Sequence, residues 1–439
     1  MEPTLKLLAR RRFAPLFATQ FLGAFNDNLY RTAMVLIVIY GIYADPAQEA
    51  TFSAVAGGLF ILPFFIFSAL AGQIADSHDK AAVVRRVKTA EIVIMAVGAA
   101  GLMLQSVPLL LAMLFATGLQ STLFGPIKYA ILPQHLKEGE VLGGTGLVEA
   151  GTYVAILLGI VCGGLVIVAD ASGALEASWG AGAVIVVALL GRFASSAIPP
   201  APPQPGMEKL PIDWNIFRSS WKLMESAMTR PQIRLAIICI SFFWAMGTLL
   251  AAQFPPLVKN ALGADQTVAT AFLAAFSVGV AAGSIAVNLL LKGKVSARFS
   301  PASALLMGLF VLDLYRRVIA YDSGSADLVG LADFAARPQG IMIFVDLFFV
   351  AMMGGMYVVP LYAYLTTHVP PSETARTVAA NNIVNSGLMV AASLLLAGAI
   401  QNGVGVADTL FVVVGATIIS AGLGWRLEKA DRALTPGTD

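Results

Sequence analysis

Twelve apolar runs, each about long enough to cross a bilayer, dominate this sequence, and few folds can accommodate so much apolar chain. They lie at roughly 14–43, 51–75, 88–105, 108–133, 141–168, 178–197, 232–258, 267–291, 301–320, 340–366, 374–401 and 407–425. A spanning helix needs about 20 such residues. Barrel strands are shorter and alternate in period two, so they do not fit these runs. Hydrophobic residues make up 58% of the 439 and charged residues only 12%, about half the charge of a soluble domain. The chain therefore reads as an all-α membrane protein with twelve transmembrane helices.

Basic residues orient the spans. With the N-terminus inside, twenty-two of the 28 lysines and arginines fall on the cytoplasmic side, among them Arg10, Arg11, Arg12, Lys80, Arg85, Arg86, Lys88, Lys209, Lys292, Lys294, Arg376 and Arg432. Only Lys259, Arg316, Arg317 and Arg337 fall opposite, and Arg31 and Lys128 lie within spans. Both termini are thus expected in the cytoplasm. A cysteine at Ala47 should then react from outside, and one at Ala81 only from inside. A net charge of +2 argues against a nucleic-acid partner. "MEPTLKLLARRRFAPLF" lacks a small-residue cleavage site, so no cleavable signal peptide is expected. Cys162 and Cys239 sit in apolar runs and read as small hydrophobes. With three histidines and no ligand-spaced pair, no metal or other cofactor is expected.

The one long proline-rich connection, "SSAIPPAPPQPGMEKLPIDWNIFRSSWKLMESAMTRPQ", separates six spans from six. The expected organisation is a bundle at 1–198, a linker at 199–230, a second bundle at 231–427 and a tail at 428–439. Within the linker, "DWNIFRSSWKLMESAM" reads either as an amphipathic helix, with Trp214, Phe217 and Trp221 on one face and Arg218 and Lys222 on the other, or as solvated chain. The halves echo each other. Pro126 matches Pro360, Glu149 matches Asn385 and Gly151 matches Gly387, with spacings that differ by two residues. Two six-helix pseudo-repeats of this kind are the plan of an alternating-access transporter, with its site near mid-membrane.

"GQIADSHDKAAVVRR" after the second run resembles the signature loop of the major facilitator superfamily, here Gly72, Asp76, Lys80, Arg85 and Arg86, with Asp79 where the family usually has a second glycine. A carboxylate there can pair with cations in one state and release them in another, a gating role. The echo "GSIAVNLLLKGK" keeps Gly283 but has Asn288 instead of a carboxylate.

Charge inside a span is expensive and marks function. In "FLGAFNDNLYRTAMVLIVIYG", Gln20, Gly23, Asp27 and Tyr30 or Arg31 share one helical face, and Asp27 and Arg31, at i and i+4, can neutralise each other. Leu29 falls on another face. Asn28 adjoins them. Lys128 and Glu149 reach similar depth on adjacent spans and form either a structural bridge or a pathway pair. Asn381, Asn382 and Asn385 supply uncharged donors and acceptors from the other half, and Asp346 can pair with Arg316 or Arg317. Met342, Met352, Met353 and Met356 with three tyrosines give the tenth run adaptable walls. A small polar cluster in apolar surroundings suits an amphipathic substrate, and no nucleophile–base set suggests an enzyme.

"FLGAFNDNLYRTA", "FGPIKYAILP" and "GLVEAGTYVAILLGIVCGG" resemble segments of bacterial lysophospholipid transporters of the major facilitator superfamily. They also resemble the transporter part of fusions with an acyltransferase and an acyl-carrier-protein synthetase. The resemblance implies movement of lysophospholipids such as lysophosphatidylethanolamine across the bacterial inner membrane to the cytoplasmic leaflet, by a monomer among membrane lipids, with or without an ion gradient. It makes Asp27, Asn28, Lys128 and Glu149 candidate pathway residues. The sequence ends at "RALTPGTD", so reacylation is expected from a separate acyltransferase. The competing expectation is a proton-coupled exporter of drugs or other amphipathic metabolites.

Overall fold

A computed structural model describes residues 6–169, 175–203, 212–291, 296–322, 324, 327–369 and 371–434. Lys209, Lys292, Lys294 and the side chains of Glu149, Asn288, Arg376 and Arg432 lie outside the described residues. The long helices are α1 (Ala14–Ile37), α2 (Pro46–Ser77), α3 (Lys80–Met103), α4 (Val107–Ala130), α5 (Glu138–Leu165) and α6 (Ser178–Ser196). After the connection come α7 (Pro231–Asn260), α8 (Gln266–Leu291), α9 (Ser300–Ala320), α10 (Pro338–Thr367), α11 (Pro371–Gln401) and α12 (Thr409–Leu434). A two-stranded ribbon, β1 (Val168–Ala169) with β2 (Leu175–Glu176), precedes α6. By length and composition, eight of the described helices can cross a membrane: α2, α4, α6, α7, α8, α10, α11 and α12. Helices α1 and α3 fall short of that composition because they carry Asp27 and Arg31, and Lys88 and Glu91.

Prolines start several helices, where a missing N–H loses nothing: α1, α4, α7, α9 and α10 have one in the first turn. The repeat-matched Pro126 and Pro360 instead lie inside α4 and α10, as spanning helices tolerate when neighbours re-satisfy the freed carbonyl. Two ends depart from the hydropathy reading. Helix α3 begins eight residues before position 88, because Lys, Arg, Ala and Val propagate a helix as well as a loop. Helix α12 runs on to Leu434 through "RLEKADRAL", which contains only good to moderate helix formers.

The chain forms two compact units, Met1–Ile42 with Leu62–Ser219, and Tyr43–Ile61 with Ser220–Asp439. Within the first, α1 packs along α5 and α6, and α3 along α4 and α6. Within the second, α7 packs along α11, and α9 along α10 and α12. First against fifth and third against fourth and sixth is the same plan twice. In the second unit, Gly283 lets α8 meet α10 backbone to backbone: a Cβ there would overlap the Met352 carbonyl oxygen. Small residues of this kind let spanning helices approach closely. Gly283→Val is therefore expected to destabilise the protein by roughly 1–3 kcal/mol, read as a lower unfolding midpoint in detergent.

Between the sixth and seventh long helices, Ile216–Ala227 is helical, with Trp214, Phe217 and Trp221 all exposed. Arg218 donates to the Asp213 carboxylate at 2.8 Å, and the Asp213 N–H donates to Gln73 Oε1 at 2.6 Å. Phe217 and Trp221, four residues apart, share one face of this helix, and Trp214 precedes it. Labelling tests the orientation, with one change of position. Ala47 is exposed, but Ala81 is fully buried, so the inner cysteine belongs at exposed His78. In a background lacking Cys162 and Cys239, an impermeant thiol reagent is expected to reach position 47 from outside. It should reach position 78 only after the cytoplasmic face is opened.

Candidate functional site

The first unit is organised around α1. Gly159 and Gly163 on α5 bring α1 in to backbone contact, since a Cβ at Gly159 would overlap the Phe25 carbonyl and one at Gly163 would lie 2.8 Å from the Leu29 carbonyl. From that position, successive side chains of α1 address different neighbours. Asn26 donates to Glu91 Oε1 on α3 at 3.1 Å and to the Val184 carbonyl on α6 at 3.2 Å. The Asp27 carboxylate accepts from Gln120 Nε2 on α4 at 3.0 Å and from the Ser121 hydroxyl. Asn28 donates to the Ala24 carbonyl at 2.8 Å and accepts from Arg31 at 3.2 Å. Tyr30 lays its ring on Gly98 and donates to the Leu110 carbonyl at 3.2 Å.

Beside Asp27 lies an ion pair that the hydropathy reading missed. Lys88 and Glu91, 0% and 1% exposed, meet at 2.5 Å. Lys88 Nζ also sits 5.4 Å from the centre of the Phe124 ring and packs against Gly23, where a Cβ would overlap it. The glycine on the stripe with Gln20 and Asp27 thus makes room for a lysine. Lys88 had been assigned to the cytoplasmic segment. It is buried in the bundle because α3 starts earlier than its apolar run. Its signal was present as an i,i+3 Lys–Glu pair bordering an apolar stretch. Gln120 and Ser121 carried no such signal.

One expectation for α1 gains detail and one needs correction. The described hydrogen-bond partners of Asp27 are Gln120 and Ser121, and Arg31, which interacts electrostatically with Asp27, donates to Asn28. Leu29 is buried, so its face is a packed interface rather than an inert one, and truncating it would leave a cavity costing about 2–5 kcal/mol. Of the remaining candidates in this unit, Lys128 lies 4.8 Å from the centre of the Tyr129 ring. The side chain of Glu149, its suggested partner, is outside the described residues. Gln20 accepts from Thr152 at 2.8 Å.

In the loop motif, Asp79 takes the place of a turn glycine and caps α3 instead: its carboxylate accepts from the Ala82 N–H at 2.7 Å and from the Ala201 N–H at 3.0 Å. Lys80 is buried and Asp76 exposed. Gly72 has open space where a Cβ would be, and Arg85 donates to the Ile198 carbonyl at 3.4 Å.

The second unit answers with neutral groups. Asn385 accepts from Ser241 at 2.6 Å and donates to the Tyr362 hydroxyl at 3.4 Å, which also accepts from Trp244 at 2.8 Å. Asn381 is fully buried and, among the described residues, neither its amide nitrogen nor its amide oxygen has a partner, whereas Asn382 is exposed. Arg317 bridges Asp313 and Asp346 at 2.8 and 2.7 Å, which gives Asp346 the partner expected of it. Glu49, fully buried, holds Lys259 at 2.5 Å and Asn260 at 2.7 Å. Carboxylates, amides and hydroxyls set in apolar helices bind and release polar groups. Among the described residues, no cluster of His, Cys, Asp and Glu has the makings of a metal site.

Known proteins bear on this geometry. Residues 16–393 match the Major Facilitator Superfamily. The chain is 27% identical over 416 residues to the Lysophospholipid transporter LplT of Shigella boydii serotype 4, covering 92% of this chain and 90% of that one. It is 26% identical, with the same coverage, to the protein of that name from Escherichia coli strain K12 / DH10B. Among solved structures, an auto-inhibited POT family peptide transporter aligns with a TM-score of 0.70 at 12% identity, covering 96% of this chain and 97% of that one. A bacterial homologue of the human lysosomal transporter Spinster aligns with a TM-score of 0.65 at 15% identity, covering 96% and 97%. The resemblance first carried by "FLGAFNDNLYRTA" and "FGPIKYAILP" extends over nearly the whole chain. The chain belongs to the Major Facilitator Superfamily, as a multi-pass membrane transporter and not an enzyme.

Proposed function

We propose that this protein moves lysophospholipids, such as lysophosphatidylethanolamine, across the bacterial inner membrane to the cytoplasmic leaflet by alternating access. The observation that carries the reading is the match to lysophospholipid transporters along 92% of the chain. The residues support it. Asp27 and its polar neighbours, with Asn28, Arg31, Lys128 and Glu149 in one half and Asn381, Asn382 and Asn385 in the other, handle the headgroup, while apolar walls accept the single acyl chain. Tyr30, committed to Gly98 and Leu110, positions α1. Twelve helices cross the membrane with both termini in the cytoplasm, in bundles at 1–198 and 231–427. Gly72, Asp76, Lys80 and Arg85 act in gating. An acyltransferase consumes the delivered substrate. Uptake of labelled lysophosphatidylethanolamine into proteoliposomes, with and without proton or sodium gradients, tests this. Uptake above that of protein-free vesicles is expected. Proton-driven movement of amphipathic dyes with no lysophospholipid uptake would instead establish an exporter.

A further inference from the structure

A cavity of about 360 Å³ opens at one end of the first unit, lined by Ala82, Arg85, Arg86 and Thr89 from α3 and by Arg192 from α6. Three guanidiniums meet there without a carboxylate among the lining residues. Arg192 Nε donates to Thr89 Oγ1 at 2.8 Å, which ties the two helices across the cavity, and Arg85 uses one N–H on the Ile198 carbonyl. Arg86 is exposed and makes no ion pair among the described residues. Lys88, two residues on, turns inward to Glu91 and leaves the cavity to the arginines.

The surroundings identify the occupant. Val186, Leu189, Leu190 and Phe193 recur at i, i+3, i+4 and i+7 on α6, and Val93 follows Thr89 by one turn on α3. All five are exposed, Phe193 at 78%. An apolar face therefore leads directly away from a basic cavity, the layout of a phospholipid with its phosphate on the guanidiniums and its chains along the helices.

We infer that this cavity binds the headgroup phosphate of an anionic diacyl phospholipid from the leaflet at this end of the bundle. The proposal rests on the orientation above, in which this end faces the cytoplasm, where basic pockets between spans collect anionic lipids. Three positive charges select a net-negative headgroup over a zwitterionic one, whose own ammonium they repel. The site is separate from the Asp27 cluster and holds its lipid rather than translocating it.

The test needs no transport assay, so its failure would leave the transport reading standing. Purified, lipid-depleted protein is offered equimolar phosphatidylglycerol and phosphatidylethanolamine, and retained lipid is read by native mass spectrometry. Phosphatidylglycerol is expected to dominate. Arg86→Gln and Arg192→Gln should each lower its retention by about fivefold, and Arg86→Lys should keep most of it. Phe193→Ala should weaken lipid retention while leaving inorganic phosphate binding unchanged. Should Arg192→Gln fail to fold, comparison of Arg86→Lys with Arg86→Gln decides. Equal retention of the two lipids, or undiminished phosphatidylglycerol in the Gln variants, would overturn the proposal. Displacement of the lipid by equimolar inorganic phosphate would assign the cavity to a free anion instead.

Discussion

Replacing Glu91 with Gln is expected to lower the stability of the folded protein by about 3–5 kcal/mol. The substitution keeps the shape and keeps an amide oxygen for Asn26, so packing is not the cause. It removes the only charge within ion-pair distance of Lys88 among the described residues. Water cannot replace it, because Lys88 is fully buried, and an unpaired ammonium in low dielectric is far costlier than a missing pair. Lys88→Met combined with Glu91→Leu should accordingly do less damage than Glu91→Gln alone. Thermal unfolding in detergent measures both. Equal midpoints for wild type and Glu91→Gln would show that Lys88 is stable without its carboxylate.

Replacing Asp27 with Asn should leave the fold intact and reduce lysophospholipid uptake by about tenfold or more, the range expected for one charged hydrogen bond. The side chain stays isosteric. Its remaining carbonyl oxygen accepts from Gln120, and Ser121 can rotate its hydrogen elsewhere. What disappears is the negative charge. Leu305→Ala on the exposed face of α9 is the matched control and should leave uptake near wild type. Uptake by Asp27→Asn equal to the control would make the carboxylate a packing element.

How these side chains pair was only partly legible. Helix positions follow from hydropathy because the bilayer leaves the backbone few alternatives. The start of α3 was hidden because Lys80, Arg85 and Arg86 look alike in a loop and in a first turn. That error placed Lys88 in a solvated loop rather than inside the bundle and left Glu91 unexamined. Asp27 stood out as a candidate from its depth alone. Its hydrogen-bond partners did not, since Gln120 is 93 residues away. Asp79 shows the reverse case: a departure from the family pattern became interpretable once its carboxylate was seen capping α3.

The run Asn26–Tyr30 also limits how this half of the protein can move. Each of these residues is engaged in a different direction, toward α3 and α6, α4, its own backbone, α5, and then α3 and α4. A rotation of α1 by one residue, or a slide by one turn, breaks the attachments to the other helices at once, including a buried carboxylate's, and spares only Asn28's bond to its own backbone. Helix α1 is thus keyed like a splined shaft, and it transmits displacement without independent play. A transport cycle of the kind proposed would carry α1, α3, α4, α5 and α6 as one rigid block. Spin-label distances among those five helices should stay constant through a transport cycle.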